Sequence, residues 1–297
     1  MANSTLEDYY MLASVRNWEQ LINIYETYFH REGRGEEQWI FRGQGSSRWG
    51  LQSSLDRTLA TFVINQSEAS RLEQGLLRRF KRQCYHYITD TPQEHDDLEW
   101  LALMQHHGAP TRLLDWTYSF FVALYFAVED ADKCSRAVAV WAFNTEWMKK
   151  PFEALLSSYP DARSCWKDDE AILQACTFKK LFLRHGPIPL VGAVTPRRMN
   201  ERLTIQQGTF LCPGDVKQTF AENIISLLSK GKSESKANFV KLVIYMDMQT
   251  RKDILLRLQH MNMNRASLFP GLDGFASSLK TLMVFPRILL HPGYGKA

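Results

Sequence analysis

The longest apolar run in the chain is Phe120–Val128, and its brevity governs what the chain can become. A helix needs roughly 20 apolar residues to cross a bilayer, so this run and every shorter one must be buried inside a folded protein. Hydrophobic residues make up 45% and charged residues 23% of the 297, close to the globular average, which excludes a disordered chain, a collagen-like fibre and a low-complexity polymer. That length suits one large domain or two smaller ones. No seam divides the chain, so the reading is a single domain over 1–297, with 1–37 as a helical N-terminal extension and 38–297 as the core.

Lys and Arg number 36 against 32 Asp and Glu, a net charge of +4, too small an excess to name a partner. The first residues, Met1 to Asp8, lack the basic flank and apolar stretch of a secretory signal. The expectation is a soluble cytoplasmic protein with no membrane partner. Cys84, Cys134, Cys165, Cys176 and Cys212 are widely spaced and form no C-x-x-C pair, so neither structural zinc nor a disulfide framework is expected.

Trp18, Leu21, Ile22, Tyr25 and Tyr28 recur at three- and four-residue spacing and predict a helix over about Arg16–His30. Trp39 and Phe41 alternate with Gln38, Ile40 and Arg42, predicting a strand over Gln38–Arg42 that places Arg42 at its end. Leu72, Leu76, Phe80 and Cys84 predict a helix over Ser67–Tyr87 whose other face carries Arg71, Arg78, Arg79, Lys81 and Arg82. A further helix through Leu98, Leu101, Ala102 and Gln105 must stop at Gly108-Ala109-Pro110. Phe120–Val128 reads as a helix because Thr117 and Ser119 offer caps and Ala123 and Ala127 favour it.

Beyond it, Ala137–Phe143, Leu190–Val194, Leu203–Ile205 with Thr209–Leu211, and Phe239–Met246 are predicted strands. Ser229–Ala237 reads as an exposed loop, Thr250 as the N-cap of a helix through Met261, and Asp273 as the start of a last helix. Helices and strands do not alternate regularly, so the fold class is α+β with a mixed, mainly antiparallel sheet and C-terminal helices.

Two segments concentrate polar residues among aromatics: Phe41-Arg42-Gly43-Gln44-Gly45, and Gln105 to Ser119. Burying Arg, His, Asp and Thr costs free energy unless each finds a partner. Either these segments line one polar cleft, or Arg112 pairs with Asp115, His107 caps a helix and Arg42 anchors a turn. His106, His107, Asp115 and Ser119 are also the parts of a Ser-His-Asp site, but no G-x-S-x-G spacing accompanies them. Adjacent histidines project in different directions and make a poor metal site. The basic face Arg71–Arg82, with Lys149, Lys150, Lys179 and Lys180, is a candidate nucleic-acid surface.

Phe41-Arg42-Gly43, Gln105 through Thr117, Ala123-Leu124-Tyr125-Phe126-Ala127, Gln206 to Phe210 and Leu268 to Gly274 resemble the FRG domain family. Their order is also similar to that of arginine-class ADP-ribosyltransferases: an aromatic-Arg-Gly strand, a Ser/Thr strand leading into an Ala- and Phe-rich helix, then a glutamate strand running into Gly and Phe. That resemblance implies an enzyme acting on NAD, which transfers ADP-ribose to an unknown acceptor or hydrolyses NAD, in a toxin or defence setting. The alternative is a non-catalytic module that binds a nucleotide or nucleic acid.

On the enzyme reading, Arg42, Thr117, Ser119, Gln207 and Glu201 would be catalytic. Arg42, Gly43, Gln44, His107, Thr111, Arg112, Asp115, Trp116 and Tyr125 would contact NAD, with no metal. Arginine's planar fork suits a phosphate. The expected glutamate is replaced by Arg202, six residues before Gly208, with Glu201 beside it. Asp115 and Glu99 are the other carboxylates considered for stabilising the cationic transition state.

Overall fold

Apolar residues alternate between the two faces of the central strands, and that alternation builds a core on each side of one sheet. Ile40, Trp141 and Phe143 are buried on one face, while Phe41, Val140 and Ala142 pack into the other. The computed structural model of the protein describes residues 5–30, 39–131, 136–164, 175–286 and 290. Along the chain, β1 (Met11–Val15) leads into α1 (Trp18–Ile24), then β2 (Trp39–Gln44), α2 (Ser54–Thr61), α3 (Ala69–Gln83) and α4 (Asp97–His106). After β3 (Leu114–Thr117), α5 (Phe120–Glu129) and β4 (Ala137–Asn144) come α6 (Thr145–Leu156), α7 (Pro160–Arg163) and α8 (Ala175–Phe182). The rest is β5 (Val191–Val194), α9 (Glu201–Ile205), β6 (Gly208–Pro213), α10 (Phe220–Leu228), α11 (Lys232–Asn238), β7 (Phe239–Tyr245), α12 (Met248–His260), α13 (Arg265–Leu268) and α14 (Leu272–Leu282).

The strands form one seven-stranded sheet in the order β1-β7-β4-β2-β3-β6-β5. β1 runs parallel to β7 and the other neighbours are antiparallel, so the fold is α+β with a mixed, mainly antiparallel sheet. Every residue of β4 is buried, as expected of a central strand covered on both faces. α5 lies across β2 because glycine permits it. A Cβ on Gly43 would come 1.9 Å from the Ala123 carbonyl oxygen, and one on Gly45 would come 2.0 Å from that of Asp130.

Several expectations need correction. The N-terminal extension is not simply helical: Met11–Val15 forms an edge strand, a weakly apolar stretch that gains its structure by pairing with β7. Leu203–Ile205 is helix, not strand, because Asn200 caps it by accepting a hydrogen bond from the Leu203 amide at 2.8 Å. Ser229–Ala237 is not an open loop: Lys232–Asn238 is helical and Ser235 is fully buried. Asp247, rather than Thr250, caps α12, accepting from the Thr250 amide at 2.7 Å. On α3, Leu76 is exposed and Glu73 is buried, since the inward face is set by a buried ion pair. Gln38, Cys134 and Cys165 lie outside the described residues.

Candidate functional site

β2 and β3 register at Phe41 with Thr117, and from there they part: β2 continues along β4 while β3 continues along β6. Arg42 fills the start of this split. Its Nη1 donates to the Asp115 carbonyl oxygen at 2.7 Å and stands 3.9 Å from Asp115 Oδ2. Its Nε is buried and has no partner. A cleft of about 250 Å³ opens at this point, with Arg42, Gly43, Asp115, Trp116 and Thr117 on its strand side and His106, Asn200, Arg202 and Gln206 among the helix and turn residues facing it. Trp116 is 3% exposed, and its indole N–H is also unpartnered. Buried donors without a protein acceptor are uncommon in a native fold and call for an explanation.

Electrostatics follow from this burial. Desolvation lowers the Arg42 guanidinium, and Asp115 only partly opposes it. Arg202 is lowered mainly by burial, with Asp115 raising it and Arg265 lowering it further. His106 is held below its ordinary value by burial and then by His107 and Arg202. Asp130, also lining the cleft, is raised by burial and by Glu129. Asp115 is kept in place by a short relay: Thr111 Oγ1 donates to Gln105 Oε1 at 2.6 Å, and Gln105 Nε2 donates to Asp115 Oδ2 at 3.0 Å.

The structure brings Arg42, Gly43, Asp115, Trp116 and Thr117 to this cleft and leaves other candidates out of its lining. Arg112 does not pair with Asp115. Only 3% exposed, it donates through Nε to both Glu73 carboxylate oxygens at 2.9 and 3.0 Å, and Nη2 closes the pair. Nη1 donates to the carbonyls of Phe182 and Pro213. Burial would lower this guanidinium, but Glu73 holds it above its ordinary value. Asp115 sits between core-facing Leu114 and Trp116, so strand alternation turns it the opposite way.

Gln44 is an anchor, donating to the Gly50 carbonyl at 3.0 Å and accepting from the Trp141 indole at 2.8 Å. Thr111 is fully buried, Ser119 caps α5 through the Val122 amide, and His107 is the exposed C-cap of α4. Tyr125 is buried, with its phenol raised by desolvation and Glu129. The Thr117 hydroxyl donates to the Gln206 carbonyl at 2.6 Å and accepts from the Ser119 amide at 3.0 Å, so it holds the turn. Gln207, in a left-handed turn at φ 49°, is displaced from the lining by Gln206.

Glu201 is exposed beside an adjoining cleft, and Glu99, raised by burial, accepts from the Arg198 amide at 3.0 Å. The contributions of Asn200, Arg202 and Gln206 were hidden because their placement depends on α9 being a helix. An Asn three residues before the Leu203 amide was the available sign.

On α3, Arg71 is tied to Glu68 at 2.6 Å and Lys81 to Asp97 at 2.7 Å, while Arg78, Arg79 and Arg82 remain exposed. Among the described residues, no cluster of three or more His, Cys, Asp or Glu is arranged to hold a metal ion. No described helix is long and apolar enough to cross a membrane.

Residues 37–136 match the FRG domain family, a stretch that includes β2, β3 and α5 and so both strands of the split. No curated protein and no solved structure matches the chain.

Proposed function

We propose that the protein is an ADP-ribosyltransferase-like enzyme whose cleft takes NAD. The observation that carries this reading is Arg42: a guanidinium with a buried, unpartnered Nε at the point where two sheet strands part. Its surroundings support it. The strands that bear the aromatic-Arg-Gly motif, the Thr117-x-Ser119 motif and the Gly208-Thr209-Phe210 motif are β2, β3 and β6, which are consecutive neighbours in the sheet. Phe41, Trp116, Phe126 and Phe210 give the cleft aromatic walls suited to a flat ring.

On this reading Arg42 binds a phosphate through its fork, and the Asn200 amide nitrogen and the Gln206 amide oxygen, whose other amide atoms are engaged within the fold, are at hand for ribose hydroxyls. The bond between nicotinamide and ribose C1′ breaks, and its electron pair leaves with nicotinamide. The cation developing on the ribose is stabilised by a carboxylate. Asp115 is the residue we assign, since Gln105 orients it and it lies in the same cleft as Arg42. An acceptor group or water then attacks C1′ and releases a proton. A cytoplasmic setting accords with such a ligand.

Incubating the protein with NAD and measuring free nicotinamide, together with an ADP-ribose mass shift on added acceptors, tests this. Turnover should be lost in Asp115→Asn with NAD binding retained, and binding should be lost in folded Arg42→Ala. A parent protein that neither binds nor cleaves NAD refutes the proposal. A second reading, nucleotide binding without turnover, is favoured by Arg202 occupying the position where glutamate was expected. Binding with no nicotinamide release would select it.

A further inference from the structure

The cleft at Arg42 does not end at α9. His106, Asn200 and Arg202 line it and also line an adjoining hollow of about 450 Å³, bounded by Glu201, Arg265, Phe269 and Asp273. The first part alone, at about 250 Å³, falls below the roughly 300–1,000 Å³ usual for small-molecule sites, and with its extension the site enters that range.

The junction is built around two arginines on one ring. The Arg202 guanidinium carbon is 4.3 Å from the Phe269 ring centroid and that of Arg265 is 4.5 Å. Arg202 is partly buried, and among the described residues no carboxylate comes within ion-pairing distance of it. Arg265 Nη1 is 2.8 Å from Glu129 Oε2, which occupies one corner of a fork that has five N–H donors. Holding like charges close in a desolvated place is unfavourable; Arg202 has no matching anion among the described residues, and Arg265 keeps fork donors that Glu129 does not fill. The ring between them is itself fixed by a tight turn: Gly271 has φ 97°, and a Cβ on Gly274 would lie 1.8 Å from the Phe269 carbonyl oxygen.

We infer that the ligand of this cleft carries two phosphate groups, one held by Arg42 and the second by Arg202 and Arg265 over Phe269. The inference rests on the nucleotide reading above and narrows it to diphosphate-bridged dinucleotides and their ADP-ribose portion, as against mononucleotides. Glu201 and Asp273, which line the extension, are acceptors for the hydroxyls of a second ribose.

Titration calorimetry at one fixed salt concentration, with NAD, ADP-ribose and nicotinamide mononucleotide as probes, tests the subsite. The parent should bind NAD and ADP-ribose at least about tenfold more tightly than the mononucleotide, the lower bound for one charge-assisted contact. Arg265→Gln should reduce that preference to within about twofold while leaving mononucleotide affinity unchanged. Arg265→Lys, which can keep the Glu129 contact but not the fork, should fall between. Should Arg265→Gln fail to fold, Arg202→Gln, which breaks no ion pair, gives the same reading of the preference. Equal affinity for mononucleotide and NAD in the parent, or a preference that survives both Gln variants, overturns the second-phosphate subsite while leaving the Arg42 reading standing. If none of the three probes binds, both fall together.

Discussion

Arg112 and Arg42 come from the two polar segments of the chain and have opposite surroundings. Arg112 is enclosed, with a buried carboxylate on its fork and backbone carbonyls on its remaining nitrogen. Arg42 has one carbonyl, a distant and 60% exposed carboxylate, and an orphaned Nε. A buried polar group whose valences are filled within the fold has no capacity left for a ligand, whereas an unfilled one retains it. The polar segment around Arg112 is therefore mainly a structural lock, and the proposed site gathers around the shorter Phe-Arg-Gly strand.

The largest test of this contrast is Glu73→Ala, which leaves the Arg112 cation buried and unpaired and should cost about 3–5 kcal/mol in urea unfolding. A loss below about 1 kcal/mol would show that Arg112 can be solvated in place and break the comparison. Next is Arg42→Ala. Its own stability cost should be about 1 kcal/mol for one hydrogen bond, yet it should abolish the stabilisation of about 2.7 kcal/mol that NAD at a hundred times Kd gives the parent. A large stability loss in Arg42→Ala would place Arg42 in the same structural class as Arg112.

Asp115→Ala should change stability by only about 0–1 kcal/mol, because its side chain is 60% exposed. Nicotinamide release is the property that should disappear, and calorimetry beside an activity assay separates the two effects.

The smallest effect concerns His106. Its lowered pKa means that, as pH falls through about 6.5, the unfolded chain takes up the proton before the folded one, so stability drops in that window and stops dropping below the folded pKa. An anion beside Arg202 works in the opposite direction by favouring the imidazolium. NAD affinity should therefore rise slightly as pH is lowered through the same window, and His106→Gln should flatten both trends. Parallel pH profiles in parent and variant would remove His106 from the site.

Local pattern was enough wherever a single segment decided its own structure. Ser119 followed by Phe120–Val128 specified a capped, buried helix, and Trp39 with Phe41 specified a strand, although it runs on past the expected end at Arg42 to Gln44, held there by pairing with β4. The Phe-Arg-Gly and Gln105–Thr117 blocks were legible as one neighbourhood because both set polar residues among aromatics, and they do meet at Arg42 and Asp115. What could not be read was the choice of partner. Three-residue spacing suggested Arg112 with Asp115, yet the carboxylate that wins is 39 positions away on α3. Leu203 and Ile205, spaced like a strand, became helix once Asn200 capped them, and that turn of helix is what brings Arg202 to the cleft. Met11–Val15 had too little alternation to be read as a strand until β7 offered its edge. Caps and periodicity act over one or two turns of chain and are written in consecutive residues. Desolvating a charge and pairing it, or closing a sheet edge, depends on groups that only the fold brings together, so the energies that select those partners have no local sign.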